Sequence, residues 1–223
     1  MIPRIMFPML AAGAVFAAGA VQAQPPAPEM GNWWGPYVGA ELGYGFDGGN
    51  QEREFSGGAF DGFSRNYGVN GVIGGGFAGY NLQSGPFVAG IEGDFQGTDI
   101  HGGWSSSGHG SYQQNLPWMA SLRPRLGWAW DRLLLYGTAG FAFGDIEETD
   151  RYVGGFSFSR DQVRWGYTVG GGAEYKIWGP WNARVEYRWT SFGTHTDNIS
   201  NSSISEETST RFNQIEAGLS YRF

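Results

Sequence analysis

The chain has 223 residues, of which 39 are Gly, 37 are aromatic (10 Trp, 11 Tyr and 16 Phe) and none is Cys. The lack of Cys excludes a disulfide-stapled fold, a Cys-ligated metal site and a thiol-linked lipid anchor. The net charge of −7, from 14 Lys+Arg against 21 Asp+Glu, argues against a nucleic-acid-binding protein, which needs a basic face.

An export signal is predicted at residues 1–23. Arg4 precedes an almost unbroken apolar run, and the small residues that end at Ala23 fit a signal-peptidase site. A membrane-spanning helix fits less well, because the run is slightly short, rich in Ala and Gly, and contains Pro8. Cleavage is therefore predicted after Ala23. Residues 24–33 are predicted to form a Pro-rich linker that is too stiff and donor-poor to join a sheet.

Strands are predicted from a period-two alternation that begins at Tyr37. In residues 37–46, Val38, Ala40 and Leu42 share one face, whereas Glu41 lies on the other among glycines. Successive side chains of a strand point to opposite faces, so this pattern indicates a strand rather than a helix. The alternation is clear at 37–46, 87–96, 118–130, 165–175, 181–190 and 214–223, and less regular at 71–82 and 133–144. The total is eight strands.

The connections between these strands alternate in length. Short connections, with turn-forming Gly, Pro and Asp, lie at 83–86, 131–132 and 177–180, and long ones lie at roughly 47–69, 97–116, 145–163 and 193–211. Every second connection therefore lies at the same end of the sheet. The sequence predicts an all-β fold over residues 34–223, an eight-stranded antiparallel up-and-down transmembrane β-barrel with short periplasmic turns and four long outer loops.

The apolar face of the strands is predicted to face lipid. It carries Trp and Tyr near the strand ends, as expected of aromatic girdles at a membrane interface. Glycines and charges share the other face, and a narrow barrel needs small residues inside. A soluble lipocalin-like barrel is the alternative, but its charges would point outward.

The predicted inward face carries equal numbers of acids and bases. The acids are Glu41, Glu92, Asp94, Glu174, Glu186 and Glu216, and the bases are Arg123, Arg125, Lys176, Arg184, Arg188 and Arg222. Charges in a narrow lumen must be paired, because a lone buried charge is very costly. The balance favours a salt-bridged plug over an ion-conducting pore, since aqueous channels need about sixteen strands.

The sequence resembles the small outer-membrane β-barrel family of alphaproteobacteria, which includes major surface antigens and is related to opacity and porin-like barrels. The matching segments are 34–40, 74–81, 90–95, 123–129, 135–140, 166–172 and 185–188. The resemblance covers all eight predicted strands and implies a fold and a location more than an activity. Pro124 departs from the family pattern and predicts a local bulge, because Pro removes a ladder hydrogen bond.

The C-terminus resembles the signal that the outer-membrane assembly machinery reads. Phe223 is terminal and aromatic, and Tyr221 and Leu219 continue the outward apolar alternation behind it. An ordinary last strand that happens to end in Phe is the alternative.

The outer loops are the predicted working surface. Acidic residues cluster at Asp145, Glu147, Glu148 and Asp150, and again at Asp197, Glu206 and Glu207. Divalent cations that bridge to anionic lipopolysaccharide are candidate partners there, although a solvated surface is the favoured interpretation.

Neither catalysis nor a cofactor is predicted. His101 and His109 lie in a flexible Gly/Ser loop, and His195 is followed by Asp197, so no base is pre-organised beside a nucleophile. The spacing of His101 and His109 matches no compact metal site. The sequence predicts a structural envelope barrel and surface antigen in contact with outer-membrane lipid and lipopolysaccharide. A narrow porin, or a surface protein that binds haem or another ligand through its outer loops, is the alternative.

Overall fold

The chain folds into antiparallel β-strands. In the computed structural model, residues 31–56, 59–106, 110–151, 157–198 and 204–223 are described, so the predicted signal peptide and most of the linker lie outside the described residues. The strands are β1 (Gly35–Asp47), β2 (Asn50–Ser56), β3 (Ala59–Tyr67), β4 (Val69–Ser84), β5 (Phe87–Ser106), β6 (Gly110–Trp130), β7 (Leu133–Arg151), β8 (Ser157–Trp178), β9 (Trp181–Asn198) and β10 (Ile204–Arg222). The described residues include no helix long and apolar enough to cross a membrane.

Eight of these strands close into a ring. β1 pairs with β4, each strand from β4 to β10 pairs antiparallel with the next, and β10 pairs back to β1. The first and last strands meet in register from Tyr37↔Arg222 to Asp47↔Phe212. The eight-stranded antiparallel barrel predicted from the alternation is confirmed.

The two faces of the wall differ as the alternation predicts. Apolar side chains such as Leu126 and Trp165, 70% and 72% exposed on the isolated chain, point outward. Charged side chains such as Arg123 and Glu186 alternate with apolar ones and are fully buried inside. An apolar exterior and a polar interior are the pattern of a barrel that lies in lipid.

The predicted long loops are largely strand. β5, β6, β7 and β8 run on through the regions 97–116 and 145–163, and the hairpin β2–β3 occupies the region 47–69. β2 takes over from β1 as the neighbour of β10, from Ile204↔Ser56 to Ser209↔Gln51. The wall therefore continues above the barrel ring as two four-stranded halves, β5–β8 and β9–β10–β2–β3.

The predicted bulge at Pro124 is absent from the described ladders. The pairs Leu122↔Phe141 and Arg125↔Thr138 lie in the same register on either side of it. The irregularity lies instead around Pro117, where the register shifts against both neighbouring strands. Pro124 is accommodated because the wall loses ladder pairs there without inserting a residue.

Candidate functional site: the charged barrel interior

Inward-facing glycines make room for the long charged side chains. A Cβ added at Gly170 would lie 2.7 Å from Cγ of Arg188, and one at Gly90 would lie 3.3 Å from Cγ of Arg125. A ring of eight strands leaves an interior that side chains just fill. A long Arg side chain on one strand therefore fits only because the residue beside it on the neighbouring strand is a glycine.

The structure buries eleven of the twelve predicted interior residues inside the barrel. These are Glu41, Glu92, Asp94, Arg123, Arg125, Glu174, Arg184, Glu186, Arg188, Glu216 and Arg222. We refer to them as the interior charge network. Lys176 does not join it, because it lies half-buried at the periplasmic rim, where its Nζ donates a hydrogen bond to the carbonyl oxygen of Asn32 at 2.6 Å.

Glu92 is the centre of the network. Its two carboxylate oxygens accept hydrogen bonds from Arg123 at 2.9 Å, from Arg125 at 3.1 Å and from Arg184 at 2.9 Å. The hydroxyl of Tyr37 donates to the same carboxylate at 2.7 Å. Charge-assisted hydrogen bonds of this kind are roughly twice as strong as neutral ones. Three strands are thereby joined to β5 through one side chain.

A second group of contacts surrounds Glu186. One carboxylate oxygen accepts from Arg123, and the other accepts from the hydroxyl of Tyr136 at 2.6 Å. Arg188 lies beside it, with Nε 3.4 Å from the carboxylate. Arg188 in turn donates to Asp94 at 3.0 Å and to Glu216. Every Arg guanidinium of this group therefore contacts at least two carboxylates.

The buried network holds six acids and five bases, because Lys176 lies outside it. Uncharged donors serve some of the carboxylate oxygens. Nε2 of Gln96 donates to both Glu41 and Glu216 at 2.6 Å. Buried carboxylates are tolerated only where hydrogen bonds replace water, and these amide donors do so.

Trp33 closes the periplasmic mouth. Its side chain is fully buried, its backbone N–H donates to Oε1 of Gln83 at 2.6 Å, and its backbone carbonyl oxygen accepts from Arg222 at 2.5 Å. The cations of Arg222 and Lys176 lie 5.3 and 5.1 Å from its ring centroid. Trp33 is the last residue of the predicted Pro-rich linker; it belongs to no strand, but its side chain packs into the barrel. No periodicity signalled this contact.

The outer half of the lumen holds a cluster of buried apolar side chains, beside buried charged ones such as Glu148 and Arg164. We call the apolar cluster the outer core: Tyr67, Val69, Ile73, Ile100, Tyr112, Leu116, Met119, Ala142, Ile146, Phe192 and Phe212. A polar layer separates the outer core from the charge network. In this layer, the hydroxyl of Thr190 donates to Oε1 of Gln214 at 3.0 Å. Along the barrel axis, the interior charge network is thus followed by a polar layer and then by the apolar outer core.

The predicted acidic loop at 145–150 divides between the two faces of β7. Glu148 and Asp150 point inward and are buried, which corrects the prediction of a wholly solvated cluster. Both oxygens of Glu148 accept from Arg164, at 3.0 and 2.8 Å. The hydroxyl of Tyr112 also donates to Glu148 at 3.1 Å, and burial, together with Tyr67 and Glu148, raises the pKa of Tyr112 well above its usual value.

Asp145 and Glu147 point outward from the same strand, directly above the apolar Phe143. Together with Asp161 on β8, their carboxylate oxygens lie within 4.8 Å of one another, an arrangement that could hold a metal ion. The pKa of Asp145 is raised, mainly by a hydrogen bond with Asp161 and to a smaller extent by desolvation. For the second acidic loop, the side chains of Asp197, Glu206 and Glu207 are outside what the structure describes.

The predicted assembly signal faces outward. Leu219, Tyr221 and Phe223 are 52%, 37% and 73% exposed, and the Phe223 N–H donates to the carbonyl oxygen of Pro36 at 3.1 Å. Two of the three histidines lie on described strands. His101 lies on β5 and His195 on β9, while His109 lies outside the described residues.

The sequence matches a known family and its members. The profile of the family described as "Outer membrane protein beta-barrel domain" matches residues 10–223. The chain is 32% identical over 233 residues to the 31 kDa outer-membrane immunogenic protein of Brucella melitensis, and the alignment covers 95% of each chain. It is 30% identical over 200 residues to the 22 kDa outer membrane protein of Rhizobium leguminosarum, covering 89% of this chain and 82% of that one.

Solved structures show the same fold at low sequence identity. The outer membrane protein OprG of Pseudomonas aeruginosa aligns with a TM-score of 0.57 and 12% identity, covering 86% of this chain and 98% of that one. The outer membrane protease OmpT of Escherichia coli aligns with a TM-score of 0.53 and 14% identity, covering 84% and 97%. At such identities the likeness concerns the fold alone.

Proposed function

Because the chain belongs to the family of outer-membrane β-barrel proteins and lies in the outer membrane of a Gram-negative bacterium, we propose that it is a structural surface protein of the envelope. Its lumen is closed by paired charges, and its outer strands are exposed as a surface antigen. The names of its relatives as immunogenic proteins support the second point. The interior charge network carries the first.

The network supports a closed lumen because its side chains pair across the barrel rather than along one wall. Glu92 on β5 contacts Arg184 on β9, and Arg123 on β6 contacts Glu186 on β9. The guanidiniums also pack on rings, with Cζ of Arg184 3.5 Å from the ring centroid of Phe77. Trp33 below and the outer core above bound this layer. An ion would have to displace several buried ion pairs to pass.

Planar-bilayer recording of the purified, folded protein tests this proposal. We expect no stable conductance from the native protein, because eight strands enclose a side-chain-filled core. Arg123→Ala and Arg125→Ala provide the comparison, since each removes a guanidinium from the centre of the network. Reproducible open-channel steps that these substitutions abolish or alter would overturn the closed lumen and make a narrow porin the better description. Steps that neither substitution changes would indicate a contaminating porin. The control is a mock preparation, purified in the same way from cells that lack this protein; the recording would be repeated under purification conditions in which the mock preparation gives no steps.

A non-catalytic role is part of the same proposal. His101, whose side chain is the one described among the three histidines, is exposed, and its Nδ1 lies 2.9 Å from the carbonyl oxygen of Asp99. This is a local contact within one turn of chain, whereas general-base catalysis needs a base beside a nucleophile. The fold it shares with a protease carries no activity by itself.

The partners in this proposal are membrane lipid, lipopolysaccharide and the machinery that inserts the barrel. The exposed apolar exterior supports the first two, and the outward Leu219, Tyr221 and Phe223 support the third. Binding of divalent cations by the acidic outer strands and binding of haem or another ligand stay predictions from the sequence.

A further inference from the structure

One opening in the barrel wall at its outer end lies between β8 and β9. The ladder that joins these strands runs from Trp178↔Trp181 up to Tyr167↔Ser191. Beyond that pair, residues 157–166 pair with β7, residues 194–198 pair with β10, and the described parts of the two strands do not pair with each other. We call this opening the β8/β9 cleft.

Gly193 explains why the strands separate. Its φ is +74°, a left-handed conformation that glycine adopts without strain, and the register between β9 and β10 shifts between Ser209 and Arg211. A bulge with a left-handed glycine bends and twists the strand that carries it. β9 therefore follows β10 and turns away from β8.

The cleft has a volume of about 380 Å³, within the range of small-ligand sites. On the outside it is bounded by Val163 and Trp165, which are 64% and 72% exposed. On the inside it reaches Phe192, which is 6% exposed and belongs to the outer core. An apolar path thus connects the outer surface of the barrel with its apolar interior.

The cleft lies at the level of the outer membrane interface. At its lower end, Tyr167, which lines the cleft, and Trp189 form an edge-to-face aromatic pair with ring centroids 5.5 Å apart, as in an aromatic girdle. Outward residues of β7 change there from Phe143 to Asp145, the neighbour of Val163. At this height, the molecules next to the cleft are the lipids of the outer leaflet.

One buried polar atom at the cleft lacks a partner. Arg164 lines the cleft with its side chain 8% exposed, and both of its Nη atoms bind Glu148. Its Nε has no hydrogen-bond partner; the Nε atoms of the five arginines in the interior charge network share this property, but those arginines do not line the cleft. A buried donor left unpaired costs free energy, so an acceptor at this position would stabilise the site.

The surrounding charge selects a neutral acceptor over an anionic one. Glu148 already balances the charge of Arg164, and the carboxylates of Asp145, Glu147 and Asp161 lie together beside the upper end of the cleft. A free carboxylate would meet this acidic group, whereas the carbonyl of an ester would not. Like charges at close range cost energy.

From these observations we propose that the β8/β9 cleft binds one acyl chain of an outer-leaflet lipid, whose carbonyl oxygen accepts a hydrogen bond from Nε of Arg164. The chain lies between Trp165 and Phe192 and extends the apolar exterior into the outer core. The site is separate from the interior charge network, so its failure would leave the closed lumen untouched.

Photo-crosslinking in a bilayer tests the proposal. The full folded chain is placed in phosphatidylcholine nanodiscs that contain some phosphatidylcholine with a diazirine on one ester-linked acyl chain, and labelled residues are mapped by mass spectrometry after irradiation. We expect label on Phe192, although it faces inward. Phe212, whose ring lies 6.4 Å from that of Phe192 but does not line the cleft, is the matched negative control, and the lipid-facing Val185 is the positive one.

Two substitutions on β8 test whether the cleft is the route. Val163→Trp fills it and should lower the Phe192 label about tenfold, the effect of removing about 1.4 kcal/mol of binding. Val169→Trp makes the same change on the same outward face below the cleft, opposite Trp189, and should leave the label unchanged. Label on Phe192 no stronger than on Phe212, or equal label in both variants, would overturn the proposal.

Two further probes test the chemistry of the ligand. An ether-linked analogue lacks the carbonyl acceptor and should label Phe192 more weakly than the ester does. Equal labelling would overturn the role of Arg164. A diazirine-bearing free fatty acid is expected to label Phe192 poorly, and strong labelling by the free acid with none by the phospholipid would overturn the assignment to a membrane lipid.

Discussion

Glu186→Ala should destabilise the folded barrel by about 3 kcal/mol. Glu186 is fully buried, and its carboxylate accepts from Arg123 and from the hydroxyl of Tyr136 at 2.6 Å. Removing one partner of a buried ion pair costs about 3–5 kcal/mol, because the remaining charge is left uncompensated. Arg123 keeps Glu92 and Asp94, each at 2.9 Å, which favours the lower end of that range.

The overall charge count would lead to a different expectation. Six buried acids face five bases, so the loss of one acid makes the count equal. Local geometry should nevertheless dominate, because the hydroxyl of Tyr136 loses its acceptor and an unsatisfied buried donor costs about 1–3 kcal/mol. Glu186→Gln, which keeps the volume and an acceptor for Tyr136, should therefore cost less than Glu186→Ala.

Urea unfolding in lipid vesicles, followed by tryptophan fluorescence, measures these free energies. Val185→Ala is the matched control, since the neighbouring residue faces lipid and is 54% exposed. Its effect should stay within about 0.5 kcal/mol, as for substitutions away from buried networks. A loss below about 0.5 kcal/mol for Glu186→Ala, with an unchanged urea slope, would refute the reasoning that this carboxylate is part of a paired interior.

Three other expectations follow from the described contacts. Deletion of Phe223 should lower the yield of folded barrel in the outer membrane without preventing export, as measured by fractionation and surface proteolysis. Unchanged assembly would show that Phe223 is not part of an assembly signal. Gly140→Ala should destabilise the barrel, because its Cβ would lie 2.2 Å from the carbonyl oxygen of Leu122, whereas Gly137→Ala, whose nearest atom would lie 3.8 Å away, should be tolerated in the same unfolding assay. Asp145→Asn should reduce the pH dependence of stability, because the pKa of Asp145 is raised in the folded protein. The stability that protonated Asp145 contributes is fully present below the usual carboxyl pKa of about 3.9 and is lost as the pH rises through the raised pKa. Unfolding midpoints compared from acidic to neutral pH would contradict this if the native protein and the variant changed in parallel.

The barrel strands could be predicted from the sequence because lipid and lumen impose opposite polarity on alternate residues. The same alternation indicated which side of the wall each charge faces. It could not indicate which charges meet, because the contacts link distant strands, as between Glu92 on β5 and Arg184 on β9. Strand tilt and register fix these partners, and neither is encoded in the spacing along one strand.

The position of Trp33 could not be predicted for a different reason. Its contacts are with Gln83 at the end of β4 and with Arg222 at the end of β10. A single aromatic residue after a Pro-rich segment has no periodicity, and its burial depends on where the turns of other strands lie. Lys176 was misplaced for a related reason, since it shares the inward parity of Glu174 but lies so near the turn that it reaches the rim.

The extent of the outer strands was missed because the polarity of the two faces inverts where the wall leaves the membrane. Within the bilayer β7 turns Phe141 outward and Thr138 inward, whereas above it Asp145 points outward and Ile146 points inward. An outward residue meets lipid in the first case and water in the second, so outward residues are apolar below and polar above, and apolar side chains such as Ile146 turn inward above the membrane. The pattern of outward apolar residues therefore ends at the aromatic girdle, although the strands continue beyond it. A search for alternation of either sense would have followed Tyr112, Leu116 and Ile146 into the strands that form the outer core.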